Sequence, residues 1–271
     1  MGKAYYLTIP EFCLLCLKRD LEGLVIFDEI SNYIPREEDL LQAMVALSER
    51  QFLIPRSDGG YDPNTDISLI LDILVKSAGT YILRGHMSEI PMTCLYKGKD
   101  FSLAVQIDEK RMGYVRFELS KWDELVSSIL EYDFMPDNIY NPGQEAFGPE
   151  DWEPTGTGPD VGGKALLSEA SAYPQQADWQ DFPAEKIPEI QELPASVRDY
   201  FTGACQAISP EDPSISLIME YYSRGRGGAN RRIVVFMREG RGYLVAGRDR
   251  IRHIEPYSGE GLLKELVKAA N

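Results

Sequence analysis

The later part of this chain repeats the order of elements found in the earlier part, and that limits the folds open to it. In residues 92–130, an extended run through Cys94, Leu95 and Tyr96 passes the turn Lys97-Gly98-Lys99-Asp100 into the apolar stretch 101–107. A charged turn, Asp108-Glu109-Lys110-Arg111, leads to an extended run over 112–119 and a helical stretch over 121–130. In residues 231–269, Ile233-Val234-Val235-Phe236 turns at Arg238-Glu239-Gly240-Arg241 into Tyr243-Leu244-Val245-Ala246. Arg248-Asp249-Arg250 then precedes the run 251–255 and a helix over 260–270. An offset of about 140 residues is far longer than a solenoid repeat, so two similar half-domains are expected rather than an array. The predicted fold is α+β: two pseudo-symmetric halves, each an antiparallel sheet with covering helices.

Ahead of the first repeat, the sequence reads as helical. Thr8-Ile9-Pro10-Glu11 has capping-box spacing, with Thr8 and Glu11 each able to satisfy the other's backbone N–H. The helix it opens is expected to run to about Leu21 and to end at Gly23. Pro35 opens a second helix through Arg50, with Leu40, Leu41, Met44, Val45 and Leu47 as its buried side. A third helix fits 66–78, with Ile67, Ile70, Leu71, Leu74 and Val75 as its stripe. In the later half a helix is expected over 195–207, stopped by Pro210, and a strand over 214–222 with Ile215, Leu217, Met219 and Tyr221 on one face.

Between the halves the composition changes. Residues 133–193 contain Asn141-Pro142-Gly143, Gly148-Pro149-Glu150-Asp151, Pro154-Thr155-Gly156-Thr157-Gly158-Pro159 and Gly162-Gly163. Such a stretch buries too little apolar surface to offset the entropy of ordering it, so a partly disordered acidic connector of about 60 residues is expected. The expected division is therefore 1–132, an N-terminal helical region with the first sheet-and-helix half; 133–193, the connector; and 194–271, the second half. The net charge of −15 is concentrated here: residues 131–200 hold 3 basic and 15 acidic groups, whereas 201–271 hold 11 and 8. That balance repels nucleic acid and anionic lipid, and a winged-helix reading of the first helices is disfavoured because the second begins Arg36-Glu37-Glu38-Asp39 in a net negative segment.

No apolar run approaches the roughly 18 residues needed to span a bilayer, and the first residues lack a signal-peptide core, so a cytoplasmic protein without membrane insertion is expected. Cys13-Leu14-Leu15-Cys16 has CxxC spacing but lies inside an apolar helical run, where buried cysteine acts as a small hydrophobe. His86 and His253 fall in opposite halves, neither in a metal-ligand spacing, and no GxSxG elbow is present. No catalytic, cofactor-binding or metal-binding residues are assigned, and the chain is read as a non-enzyme. The segment 224–232 joins strand to strand and lacks the Lys-Ser/Thr ending of a phosphate-binding loop. It reads either as a solvated hairpin loop or as a protein contact carried by Arg224, Arg226, Arg231 and Arg232, since arginine is enriched at interfaces.

In arrangement the chain resembles the EspG family of type VII (ESX) secretion-associated chaperones. The matching stretches are 9–21, 40–53, 101–130 with its closing Leu125-Val126-Ser127-Ser128-Ile129-Leu130, and 242–267 with Gly242-Tyr243-Leu244-Val245 and Ile254-Glu255-Pro256. The Asp-Thr pair often found in that family before its Gly-Arg-Tyr is not present ahead of Gly242. The resemblance implies a cytosolic, non-catalytic chaperone or adaptor that binds a helical secretion substrate. Two alternatives stay open: an immunity or anti-toxin protein, and a small-ligand binder or enzyme without a recognisable motif.

Overall fold

The computed structural model describes residues 2–130 and 182–269, except 20, 22–23, 25, 28–29, 31, 86–90, 109–110, 112, 184–187, 203–206, 210–211 and 225–228. Most of the expected connector therefore lies outside the described residues.

The first strand, β1 (Lys3–Thr8), runs directly into α1 (Ile9–Arg19), followed by α2 (Glu37–Glu49), the short pair β2 (Leu53–Pro55) and β3 (Tyr61–Pro63), and α3 (Thr65–Lys76). Four strands and a helix come next: β4 (Gly79–Gly85), β5 (Thr93–Tyr96), β6 (Ser102–Ile107), β7 (Tyr114–Ser120) and α4 (Trp122–Leu130). After β8 (Phe182–Pro183) and a 3-10 turn (Pro188–Glu192) come α5 (Ala195–Thr202) and β9 (Ala207–Ile208). The chain closes with β10 (Ile215–Ser223), β11 (Arg231–Arg238), β12 (Arg241–Gly247), β13 (Ile251–Pro256) and α6 (Gly259–Ala269).

Nine strands form one antiparallel sheet in the order β1-β7-β6-β5-β4-β10-β11-β12-β13. Each run of four strands is a meander, and the two meanders meet where β4 pairs with β10, from Gly79 opposite Ser223 to Gly85 opposite Leu217. Gly79 is required at this junction, because a Cβ there would lie 2.4 Å from the carbonyl oxygen of Tyr222 and 2.5 Å from the Tyr221 hydroxyl. The β11–β12 connection is a two-residue turn with both central residues at positive φ, Glu239 at 50° and Gly240 at 71°. That geometry matches the twist of a tight hairpin and favours glycine at its second position.

Because side chains alternate across a strand, β10 sorts the core into layers. On the front face, Tyr222 joins a cluster with Phe12, Leu15, Leu47, Ile67, Leu71 and Phe117, covered by α1, α2 and α3. Also in front, Ile218 joins Ile190, Leu193, Val197, Phe201, Val234 and Phe236, so the 3-10 turn and α5 cover the other end. On the back face, Leu217, Met219 and Tyr221 pack with Leu125, Val126, Leu262 and Leu266 of α4 and α6. The Tyr81 hydroxyl donates to the Leu266 carbonyl at 2.7 Å and fixes the end of α6 to the sheet.

The α+β class and the antiparallel strand-and-helix runs expected from the sequence are present, and the two runs share one nine-stranded sheet instead of forming a sheet each. Four further readings are corrected. Residues 3–8, not anticipated as a strand, form the edge strand β1 with Tyr5 and Leu7 turned inward. Residue 207, expected at the end of a helix, lies in a short strand beside β8. β10 is buried on both faces from Ile215 to Tyr222, since it is a central strand and not a half-exposed one. On α2, Leu47 is buried but Leu41 and Val45, expected beside it, face outward.

Candidate partner-binding site

Strand alternation and burial separate the four arginines singled out by the sequence. Arg231 and Arg232 begin β11 and point to opposite faces. Arg231 turns to the back face and pairs with Glu265 of α6, whose other carboxylate oxygen accepts from Lys268 at 2.6 Å. Burial pushes the Glu265 carboxyl up, but Lys268 and Arg231 outweigh it and hold it below the ordinary value. Arg232 turns to the front face, where its Nε lies 2.9 Å from Glu220 Oε1. Arg224 follows β10, is exposed, and its backbone N–H donates to the Ala78 carbonyl at 2.9 Å. Arg226 lies outside the described residues.

Glu220 occupies the centre of the sheet between the two front-face clusters and is 1% exposed. A buried carboxylate is costly unless paired and hydrogen-bonded. Here Arg232 supplies the charge and the Tyr222 hydroxyl donates to Oε2 at 2.9 Å. Burial raises the Tyr222 phenol well above its usual range, with the neighbouring Glu220 adding to the effect, so the tyrosine stays protonated as the donor. Arg84 reaches the same face from β4, opposite Ile218, and its buried Nε has no hydrogen-bond partner among the described residues. Arg232 thus ties two central strands together.

The other candidate groups are also held by the fold. Cys13, Cys16 and Cys94 are buried and unbridged; burial pushes the Cys13 thiol up to about 11, and burial together with the neighbouring Cys13 pushes the Cys16 thiol well up. His253 Nε2 lies 3.2 Å from Glu255 Oε2 on the edge strand β13, and His86 lies outside the described residues. Among the described residues no group of three metal-ligating side chains comes together. No described helix is long and apolar enough to cross a membrane.

The α1–α2 corner is fastened by the capping box read from the sequence. The Thr8 N–H donates to Glu11 Oε2 at 2.7 Å, and the Glu11 N–H donates to Thr8 Oγ1 at 3.3 Å. Glu11 is buried, and its other oxygen pairs with Arg50, just past the end of α2. Arg50 also donates to the Tyr6 carbonyl at 2.9 Å, so one side chain fixes α2 against both β1 and α1.

With its inner side set in this way, α2 presents an outer side that the sequence reading missed. Leu41 and Val45 are each 54% exposed. They stand four residues apart and so are neighbours on the helix surface. Glu37, Glu38, Gln42 and Glu49 are exposed with them. The signal was in the spacing. At about 100° per residue, the five apolar positions from Leu40 to Leu47 span an arc of about 160°, wider than the stripe one contact buries. The positions at one margin of that arc, Leu41 and Val45, are left outside.

No protein-family model matches the chain, and no curated protein is similar to it. Among solved structures, the Mycobacterium tuberculosis type VII secretion system chaperone EspG5, in complex with a PE25–PPE41 dimer, aligns over 99% of this chain and 95% of that one. The TM-score is 0.49 and the identity 9%. At that score and identity, nothing about residues, partners or activity passes from one chain to the other.

Proposed function

We propose that this protein is a cytosolic, non-catalytic chaperone or adaptor that holds a helical substrate of a type VII secretion system. The observation that carries the reading is the exposed Leu41–Val45 pair on α2, an apolar surface beside a corner that Arg50 and Glu11 fasten. Exposed apolar side chains on a rigid helix are the means by which a protein grips another helix. The order of elements, which resembles that of EspG-type chaperones, supplies the class of partner. The two meander-and-helix runs are read as related halves that arose by duplication, with residues 133–193 as the connector between them. Arg224 and Arg226, at the β10–β11 connection, are proposed as secondary contacts. Arg231 and Arg232 support that connection from within.

The test is co-expression of the full chain with helical secreted substrates of its host's type VII system, followed by size-exclusion chromatography with light scattering. A stoichiometric complex that keeps the substrate soluble is expected. If the same pull-down instead yields a nuclease or other toxin whose activity the protein blocks, the immunity reading replaces this one. If no helical substrate binds, the chaperone reading falls.

A further inference from the structure

We infer that the outward face of α2 binds a partner helix whose apolar stripe is bordered by lysine or arginine. This rests on the adaptor reading and names the chemistry of the helix held. The exposed side chains of α2, namely Glu37, Glu38, Leu41, Gln42, Val45 and Glu49, fall within an arc of about 140° at helical spacing. Val45 lies near the middle of that arc, Leu41 lies toward one side, and the three glutamates surround the pair. No lysine or arginine falls on the arc. Of the two cations that flank the helix, Arg36 at its N-cap lies off the arc, and Arg50, just past its C-terminal end, is engaged by Glu11 and the Tyr6 carbonyl.

That pattern discriminates between occupants. A second copy meeting the same face by a two-fold axis would set glutamates against glutamates, which opposes association. An anionic membrane surface would be repelled for the same reason. A helix with an apolar stripe can seat it on Leu41 and Val45, and basic residues along its margins would then meet the acidic rim. The apolar contact supplies affinity, while the charges set the orientation and exclude acidic helices.

The test uses the full-length protein and two synthetic 18-residue helical peptides with identical leucine stripes, one bordered by lysines and the other by glutamates. Binding is read by fluorescence anisotropy at low salt. The lysine-bordered peptide should bind about tenfold or more tightly than the glutamate-bordered one. Val45→Asp should weaken it by at least about tenfold. The double variant Glu38→Lys/Glu49→Lys should shift the preference towards the glutamate-bordered peptide. These positions are exposed, so each variant should keep the wild-type circular dichroism and melting temperature.

Equal binding of both peptides, or unchanged binding by Val45→Asp, overturns the inference. So does a dimer in sedimentation equilibrium that Val45→Asp abolishes, or binding to phosphatidylserine vesicles through the same residue. If the peptide preference holds but no type VII substrate co-purifies, the chemistry of the face stands and the class of partner is wrong. If a substrate co-purifies and the preference is absent, the adaptor reading stands and α2 is not its site.

Discussion

Arg231 and Arg232 are adjacent on β11, yet their guanidinium groups lie on opposite faces of the same sheet, one against Glu265 of α6 and the other against Glu220 of β10. Two residues that read together as a basic surface are thus divided between two structural tasks. The first holds the closing helix to the back of the sheet, and the second joins central strands on the front.

Removing Glu220 alone should be severe. Glu220→Leu leaves the part-buried Arg232 without its carboxylate and the Tyr222 hydroxyl without its acceptor, an expected loss of about 3 kcal/mol. The double variant Glu220→Leu/Arg232→Met should recover most of it, because a buried ion pair replaced by apolar groups of similar volume is often neutral. Urea denaturation of both variants checks this; similar losses in the two would show that the pair is not the cause.

Glu265 gives an acid-dependent contribution whose sign is fixed by its partners. Its folded carboxyl titrates below the ordinary value of 4.5. Its stabilisation is therefore fully present above that pH and is lost as pH falls from about 4.5 through the lower folded value. Glu265→Gln should destabilise the protein at neutral pH by about 1–3 kcal/mol and flatten the acid limb of a plot of melting temperature against pH. An acid limb of unchanged steepness would assign the effect to other carboxylates.

At the α1–α2 corner, Arg50→Ala leaves the buried Glu11 carboxylate without its cation and should cost about 3 kcal/mol in denaturant unfolding. Thr8→Ala removes only the side-chain acceptor of the capping box and should cost about 1 kcal/mol. The order of the two effects is the measurement that matters.

The thiols should be silent in the folded protein. Iodoacetamide at pH 8, with peptide mapping by mass spectrometry, should leave Cys13, Cys16 and Cys94 unmodified until denaturant is added. Rapid labelling of Cys16 under native conditions would contradict its burial.

Local chemistry was legible in the chain, and long-range pairing was not. The Thr8–Glu11 capping box, the Glu239-Gly240 turn and the strands β5 to β7 and β10 to β13 follow from short-range spacing, and the structure has them, whereas β4 carried no such signal. Leu41 and Val45 lie outside because the apolar arc of α2 is wider than the stripe one contact buries. The partners of Arg231 and Arg232 were invisible because Glu265 and Glu220 reach them only through helix packing and strand register. Lys3–Thr8 carries no strand signal of its own, and its place at the sheet edge depends on β7, more than a hundred residues later.

The junction at Gly79–Gly85 also bears on how the chain is made. During synthesis β4 emerges long before β10, and until then it is a bare edge whose amides and carbonyls any extended peptide can match. A nascent chain of this protein is therefore most open to aggregation in the interval before its last quarter leaves the ribosome. Truncation ahead of Ile215 would make that exposure permanent.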